Sequence, residues 1–166
     1  ATQAIVPSGF TTPQAAQISA AQFALAQKLP NAIRLGTSTW SFPGWAGIVY
    51  AQPYAAQGLS RRGLAAYSKH PLLRTVGIDR TFYAPILREE FERYANQVAD
   101  DFSFLCKAPN AVTSPFIQGG AGYTSQVNPT FLDAELAIKT FVTPATEGLA
   151  NKAGPLVFQF SPLGKS

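Results

Sequence analysis

Phe102-Ser103-Phe104-Leu105-Cys106-Lys107 is the stretch that decides the fold. Phe102, Phe104 and Cys106 fall on one side of an extended chain and Ser103, Leu105 and Lys107 on the other, the period-two pattern of a strand. Three other short apolar runs have the same character. They are Ile33-Arg34-Leu35-Gly36-Thr37, Thr75-Val76-Gly77-Ile78-Asp79 and Leu156-Val157-Phe158-Gln159-Phe160. Short apolar runs bounded by turn residues suit strands buried on both faces, as in a parallel sheet. Strands are therefore expected near 33–37, 75–79, 102–107 and 156–160, adjacent in that order.

The intervals between these runs have helical signals. Ser60 is placed to cap a helix to about Lys69, with His70-Pro71 as its stop. Leu87, Phe91, Tyr94 and Val98 share one helix face, and Arg88, Glu89, Glu90, Glu92 and Arg93 solvate the other. Asp133 to Lys139 makes a third helix, with Pro144 as its break and a short helix to about Leu149. Strands alternating with helices imply an α/β fold with a parallel sheet and right-handed crossovers. Ser41–Gly58 and Asn110–Pro129 read as long loops at the carboxyl end of the sheet. The glycines of Gly119-Gly120-Ala121-Gly122 suggest a flexible lid or plain disorder and match no phosphate or dinucleotide motif.

Composition narrows the function. The chain has 166 residues, 46% hydrophobic and 13% charged, with 13 Lys plus Arg against 9 Asp plus Glu. So low a charge content excludes a coiled coil and a charged disordered tail. The net charge of +4 permits nucleic-acid binding, but the basic residues are scattered, which disfavours it. No apolar run approaches the roughly 18 residues of a membrane span. One cysteine, Cys106, rules out an internal disulfide, and one histidine, His70, rules out a His-rich metal site within this chain. No metal site is expected, and no cofactor is indicated. Residues 1–30 are rich in Ala and Gln and lack the basic start and apolar block of an export signal. They are expected to form a helical extension opened by Pro13, with Ile18, Phe23, Leu25 and Leu29 as its apolar face. A cytoplasmic location is expected.

Gly36-Thr37-Ser38-Thr39-Trp40-Ser41-Phe42 with Gly44-Trp45 resembles the opening signature of the YecE-like family, a domain of unknown function with a TIM-barrel fold. Asp79-Arg80-Thr81-Phe82-Tyr83 resembles its second-strand motif, and Phe102 to Pro109 its third. Gly148-Leu149 through Lys152 and Gly154 to Pro162 resemble its fourth. Two positions depart from the family pattern: Gly77 stands where members usually carry Glu, and Ser114 near a place where they often carry His. The resemblance implies a (β/α)8 barrel, which needs about 200–250 residues. Residues 31–166 are thus expected to form only its first four strands. The remaining half, from the same protein or another chain, is the expected partner.

Ligands of parallel α/β sheets bind at the carboxyl ends of the strands. The side chains expected there are Thr37, Ser38, Trp40, Trp45, Asp79, Thr81, Tyr83, Lys107, Gln159 and Ser161. Hydroxyls, an amide, aromatic rings and one charge of each sign suit a small polar ligand, sugar-like or phosphorylated. Trp40, Trp45 and Tyr83 are either a stacking platform or fill under the loops. Asp79 and Lys107 are the candidate catalytic pair, a carboxylate base and an ammonium clamp or nucleophile, or else a structural ion pair. A nucleophilic Cys106 is disfavoured because it alternates with Lys107 and has no nearby base. Gly164-Lys165-Ser166 is no phosphate loop, since Gln159 stands where its first glycine belongs. Three functions compete: an enzyme acting on a small polar substrate, a nucleic-acid-binding or processing barrel, and a non-catalytic binding module.

Overall fold

The computed structural model describes residues 11–119 and 122–160, with the side chains of 118–125 left aside. These residues form a four-stranded parallel sheet in the order β1 (Leu35–Thr37), β2 (Leu73–Ile78), β3 (Ser103–Lys107) and β6 (Ala153–Val157). A separate antiparallel pair joins β4 (Phe116–Gly119) to β5 (Gly122–Val127). The helices are α1 (Ala20–Lys28), α2 (Ala56–Arg62), α3 (Leu64–Tyr67), α4 (Arg88–Ala95), α5 (Asn110–Thr113), α6 (Ala134–Ala137) and α7 (Thr143–Leu149). The described residues fall into two compact units, one within Ala1–Val76 and Asn96–Ser103, the other within Gly77–Ala95 and Phe104–Ser166.

In the first unit, β1 lies parallel to β2, with Gly36 opposite Thr75 and Thr37 opposite Val76. A Cβ on Gly36 would fall 2.1 Å from the Thr75 carbonyl oxygen, so the two backbones meet this closely only through glycine. Pro13 opens no helix. The chain after it is extended, with Ala15 bridged to Tyr50 and the Ala16 amide donating to Val49. Helix α1 starts later, at a capping box in which Ser19 and Gln22 satisfy each other's backbone amides. Its buried residue is Ala26, while Phe23 and Leu25 are half exposed, so the expected apolar face is not the packed one. Ser60 does not cap a helix either. It lies inside α2, which begins at Ala56, and its carbonyl accepts from the Trp40 indole.

His70 closes this part of the unit. It is 7% exposed, and its Nδ1 accepts the Leu72 amide at 3.3 Å. Burial holds its pKa below the usual 6.5. The unfolded chain therefore takes up this proton first as pH falls. Stability from His70 is expected to be complete above about pH 6.5 and to be lost below it as the folded imidazole resists protonation. His70→Asn keeps a hydrogen-bond acceptor and removes the titration. Melting temperatures between pH 7 and 5 should fall less steeply for this variant than for the wild type, and equal slopes would refute the assignment.

In the second unit, β3 pairs with β6, Cys106 opposite Leu156 and Lys107 opposite Val157. Phe104 and Cys106 are fully buried, and Ser103, Leu105 and Lys107 only partly, which is the alternation the sequence shows. The last strand spans Ala153–Val157, earlier than the expected 156–160. The reason lies in its neighbour. Beyond Lys107 the Ala108 amide still donates to Val157, but the next donor toward β6, the Asn110 amide, already belongs to the first turn of α5. Leu87 is 74% exposed and off the buried face of α4. It precedes the helix, and its carbonyl accepts the amides of Glu90 and Phe91, while neighbouring Ile86 is buried in its stead.

The stretch 110–129 is not the long loop expected. It contains α5 and the β4–β5 hairpin, and Gly120-Ala121 lie outside the described residues. Pro144 does not end a helix but stands in the first turn of α7. The turn before it, Ile138–Val142, is widened to a π turn, with the Thr143 amide bonded to the Ile138 carbonyl. A proline ring collides with the carbonyl four residues back in a regular helix, and the wider turn relieves that collision. Helix α7 lies against α4 at Gly148, whose added Cβ would fall 2.6 Å from both the Arg88 carbonyl oxygen and the Phe91 Cβ.

Candidate functional site

Strand β2 ends at Ile78 and the chain bends at once into a 3-10 turn, Asp79–Phe82. Thr81 holds that turn. Its Oγ1 lies 2.6 Å from the carbonyl oxygens of both Ile78 and Lys107, so one hydroxyl ties the ends of β2 and β3. Thr81 is 1% exposed and its proton is committed to those carbonyls, so it braces the strand ends and offers no free hydroxyl to a ligand. Arg80 turns toward α4, where it ion-pairs with Glu90 and donates to the Tyr94 phenol at 2.7 Å. Burial, then the hydrogen bond to Glu90, pushes the Tyr94 pKa up to about 12.

With the turn fixed, Asp79 is exposed at the carboxyl end of β2. Lys107 closes β3, its Nζ 4.3 Å from the centroid of the Phe82 ring. That cation–π contact locates the ammonium, and none of its N–H groups is hydrogen-bonded to another described residue. Asp79 and Lys107 make no ion pair with each other, which removes the structural-pair alternative. Tyr83 is 70% exposed and meets Phe82 edge to face at 5.2 Å. Gln159 is exposed two residues beyond the end of β6. Ser161 and Gly164-Lys165-Ser166 lie outside the described residues. Cys106 is fully buried, and burial pushes its thiol up to about 12, away from nucleophilic use.

The other four expected site residues belong to the first unit. Thr37 ends β1, and its Oγ1 bonds the Tyr67 hydroxyl at 2.8 Å and the Thr39 carbonyl at 2.7 Å. Tyr67 also accepts the Thr37 amide and donates to Thr75, and burial raises its pKa. Ser38 is exposed. Trp40 is 6% exposed with its indole N–H on the Ser60 carbonyl, and its own carbonyl accepts the Tyr50 hydroxyl. It is a core residue and not an open platform. Trp45 is half-buried between Phe42 and Tyr67, with ring centroids at 5.5 and 6.1 Å. The residues that sequence reasoning missed are Phe82, under Lys107, and the pair Glu90 and Tyr94, which anchor Arg80. The spacing of Glu90 and Tyr94 by one helical turn was the available signal.

No curated protein matches the chain. Two crystal structures of a DUF72 family protein from Enterococcus faecalis V583 resemble it, each at 21% identity. One covers 77% of this chain with a TM-score of 0.53, and the other 62% with a TM-score of 0.46. The chain spans 39% and 38% of the length of those two structures. The first likeness supports an α/β fold of the same kind. The family model described as protein of unknown function DUF72 matches residues 34–165. It covers most of the chain and all four strands of the parallel sheet, so the chain belongs to the DUF72 family.

Proposed function

We propose that this chain contributes the first strands of a YecE-like (β/α) barrel, and that the ends of β2, β3 and β6 bind a small polar ligand, sugar-like or phosphorylated. The carrying observation is the Thr81 tie, which holds an exposed carboxylate and an ammonium with no hydrogen-bond partner among the described residues at neighbouring strand ends. In this reading Lys107 takes an anionic or hydroxyl oxygen, and Asp79 accepts a proton or orients a hydroxyl. Tyr83 supplies a ring for the apolar face of the ligand, and Gln159 supplies an amide. The reading includes a cytoplasmic location. It also includes further barrel strands, from the same protein or another chain, against β1 and β6. No described helix is long and apolar enough to cross a membrane.

The test is a titration of the protein with ribose 5-phosphate, glucose 6-phosphate, glucose and inorganic phosphate. At least one sugar phosphate should bind more tightly than inorganic phosphate. Lys107→Met should weaken that binding by about tenfold or more, the loss of one charge-assisted contact. Asp79→Asn should weaken it or abolish turnover where turnover is seen. Arg93→Ala, on the 72%-exposed outer side of α4, should change nothing. Unchanged binding in both site variants removes the pair from the ligand site. Tight binding of an oligonucleotide that collapses with added salt would favour the nucleic-acid alternative.

A further inference from the structure

A cavity of about 280 Å³ lies in the first unit, beside the first residue of β2. Phe23, Leu73 and Phe102 give it apolar walls, Gln27 and Ser68 neutral polar ones, and His70, Arg74 and Asp101 ionisable ones. Each ionisable group has hydrogen-bonding capacity left over. His70 accepts the Leu72 amide on Nδ1, so the proton of its neutral ring sits on Nε2. Arg74 spends one N–H on the Ala26 carbonyl at 3.2 Å, and a guanidinium has five. Asp101 is exposed, and its carboxylate makes no hydrogen bond or ion pair among the described residues. Its backbone carbonyl, in contrast, accepts from Arg34.

Two donors and one carboxylate around an apolar space define a ligand class. A simple anion meets Arg74 and His70 but is repelled by Asp101. A simple cation meets Asp101 but is repelled by Arg74. A zwitterion satisfies both, carboxylate toward Arg74 and His70 and ammonium toward Asp101, with an apolar body against the two phenylalanines. The volume is just below the usual range of small-molecule sites, about 300–1,000 Å³, which disfavours nucleotides and disaccharides. We propose that this cavity binds a free α-amino acid with an aromatic or large apolar side chain. Phe23 belongs to α1, ahead of residue 34 where the family match begins, so the cavity draws on sequence outside the family domain. It shares no residue with the strand-end site.

The chain has a single histidine, so the imidazole signals of His70 report on this cavity without ambiguity. Proton NMR of the protein titrated with L-phenylalanine, phenylacetate and phenethylamine tests the proposal. Phenylalanine should shift the His70 resonances along a saturating curve. The other two probes should bind about tenfold more weakly or worse. Asp101→Asn should weaken phenylalanine binding by about tenfold and leave phenylacetate binding unchanged or tighter. Arg74→Gln should weaken phenylalanine and phenylacetate alike. If Arg74→Gln fails to fold, because that side chain also caps α1, the exposed Asp101 variant carries the test alone. No saturable shift up to the solubility limit of phenylalanine overturns the proposal. Equal affinity for all three probes, or unchanged phenylalanine affinity in Asp101→Asn, does the same.

Discussion

Gly148→Ala is expected to destabilise the protein by about 2–3 kcal/mol or more, while the same substitution at Gly58 stabilises it by up to about 1 kcal/mol. Both glycines are inside helices, where alanine is intrinsically the better residue. The surroundings decide the sign. At Gly58 a new methyl group meets nothing within 4 Å, so only the propensity gain remains. At Gly148 it lands 2.6 Å from the Arg88 carbonyl oxygen and from the Phe91 Cβ. A carbonyl held by its own helix cannot swing aside as a flexible side chain does. Helices α4 and α7 must therefore move apart, and the buried contacts of Phe91 and Leu149 loosen with them. Urea denaturation of the two variants beside the wild type is the measurement. Shifts of the same sign for both would contradict the close-approach account.

Phe104→Ala is expected to cost about 3–5 kcal/mol, the range for truncating a fully buried phenylalanine. Phe104 is at the middle of the alternation that defines β3, has no exposed surface, and faces Ala153 of β6 across the ladder. The small partner leaves it little material with which to close the resulting hole. A loss of this size is a large share of the roughly 5–15 kcal/mol that holds most domains folded. Leu87→Ala is the matched control, since Leu87 is 74% exposed and should stay within about 0.5 kcal/mol. The sequence spacing puts Leu87 on the apolar face of α4, so this pair also separates periodicity from actual burial. A large cost at Leu87 would restore the periodic assignment.

The parallel strands were legible because their apolar runs are short and local, although the expected burial on both faces is not met: β1 and β6 hold no buried residue, and β3 buries one face. The β3 alternation needs no knowledge of distant residues. Strand ends were less legible, because they depend on partners: the start of α5 at Asn110 decides where β6 stops pairing, and nothing in Leu156 to Phe160 announces it. The β4–β5 hairpin was missed because the glycine cluster outweighed its flanks, although two residues between Gly119 and Gly122 are a hairpin spacing. At the candidate site, Asp79 and Lys107 stand at strand ends as the pattern requires. The roles of Thr81 and Phe82 were hidden. Both come from a 3-10 turn that redirects side chains away from strand alternation. Trp40, open between platform and fill on sequence alone, is fill for a related reason, since its burial depends on Ser60 and Tyr50, supplied by a separate helix and loop. The amino-acid-sized cavity has walls from three separate stretches of chain, a combination no linear pattern reveals.

The π turn at Ile138–Val142 makes this segment's length matter more than its spelling. A π turn holds one residue more than the α-helical turn it replaces. Exposed positions such as Ile138, which is 54% accessible, are free to vary in kind. Dropping one residue there would return the segment to an α-helical turn and press the Pro144 ring against the carbonyl four residues back. Ala145, Gly148 and Leu149 would keep their side toward α4 only with the helix kinked at Pro144, which strains the close approach at Gly148. Drift among descendants of this sequence is therefore expected to run through substitutions in 138–142 and to avoid single-residue gaps.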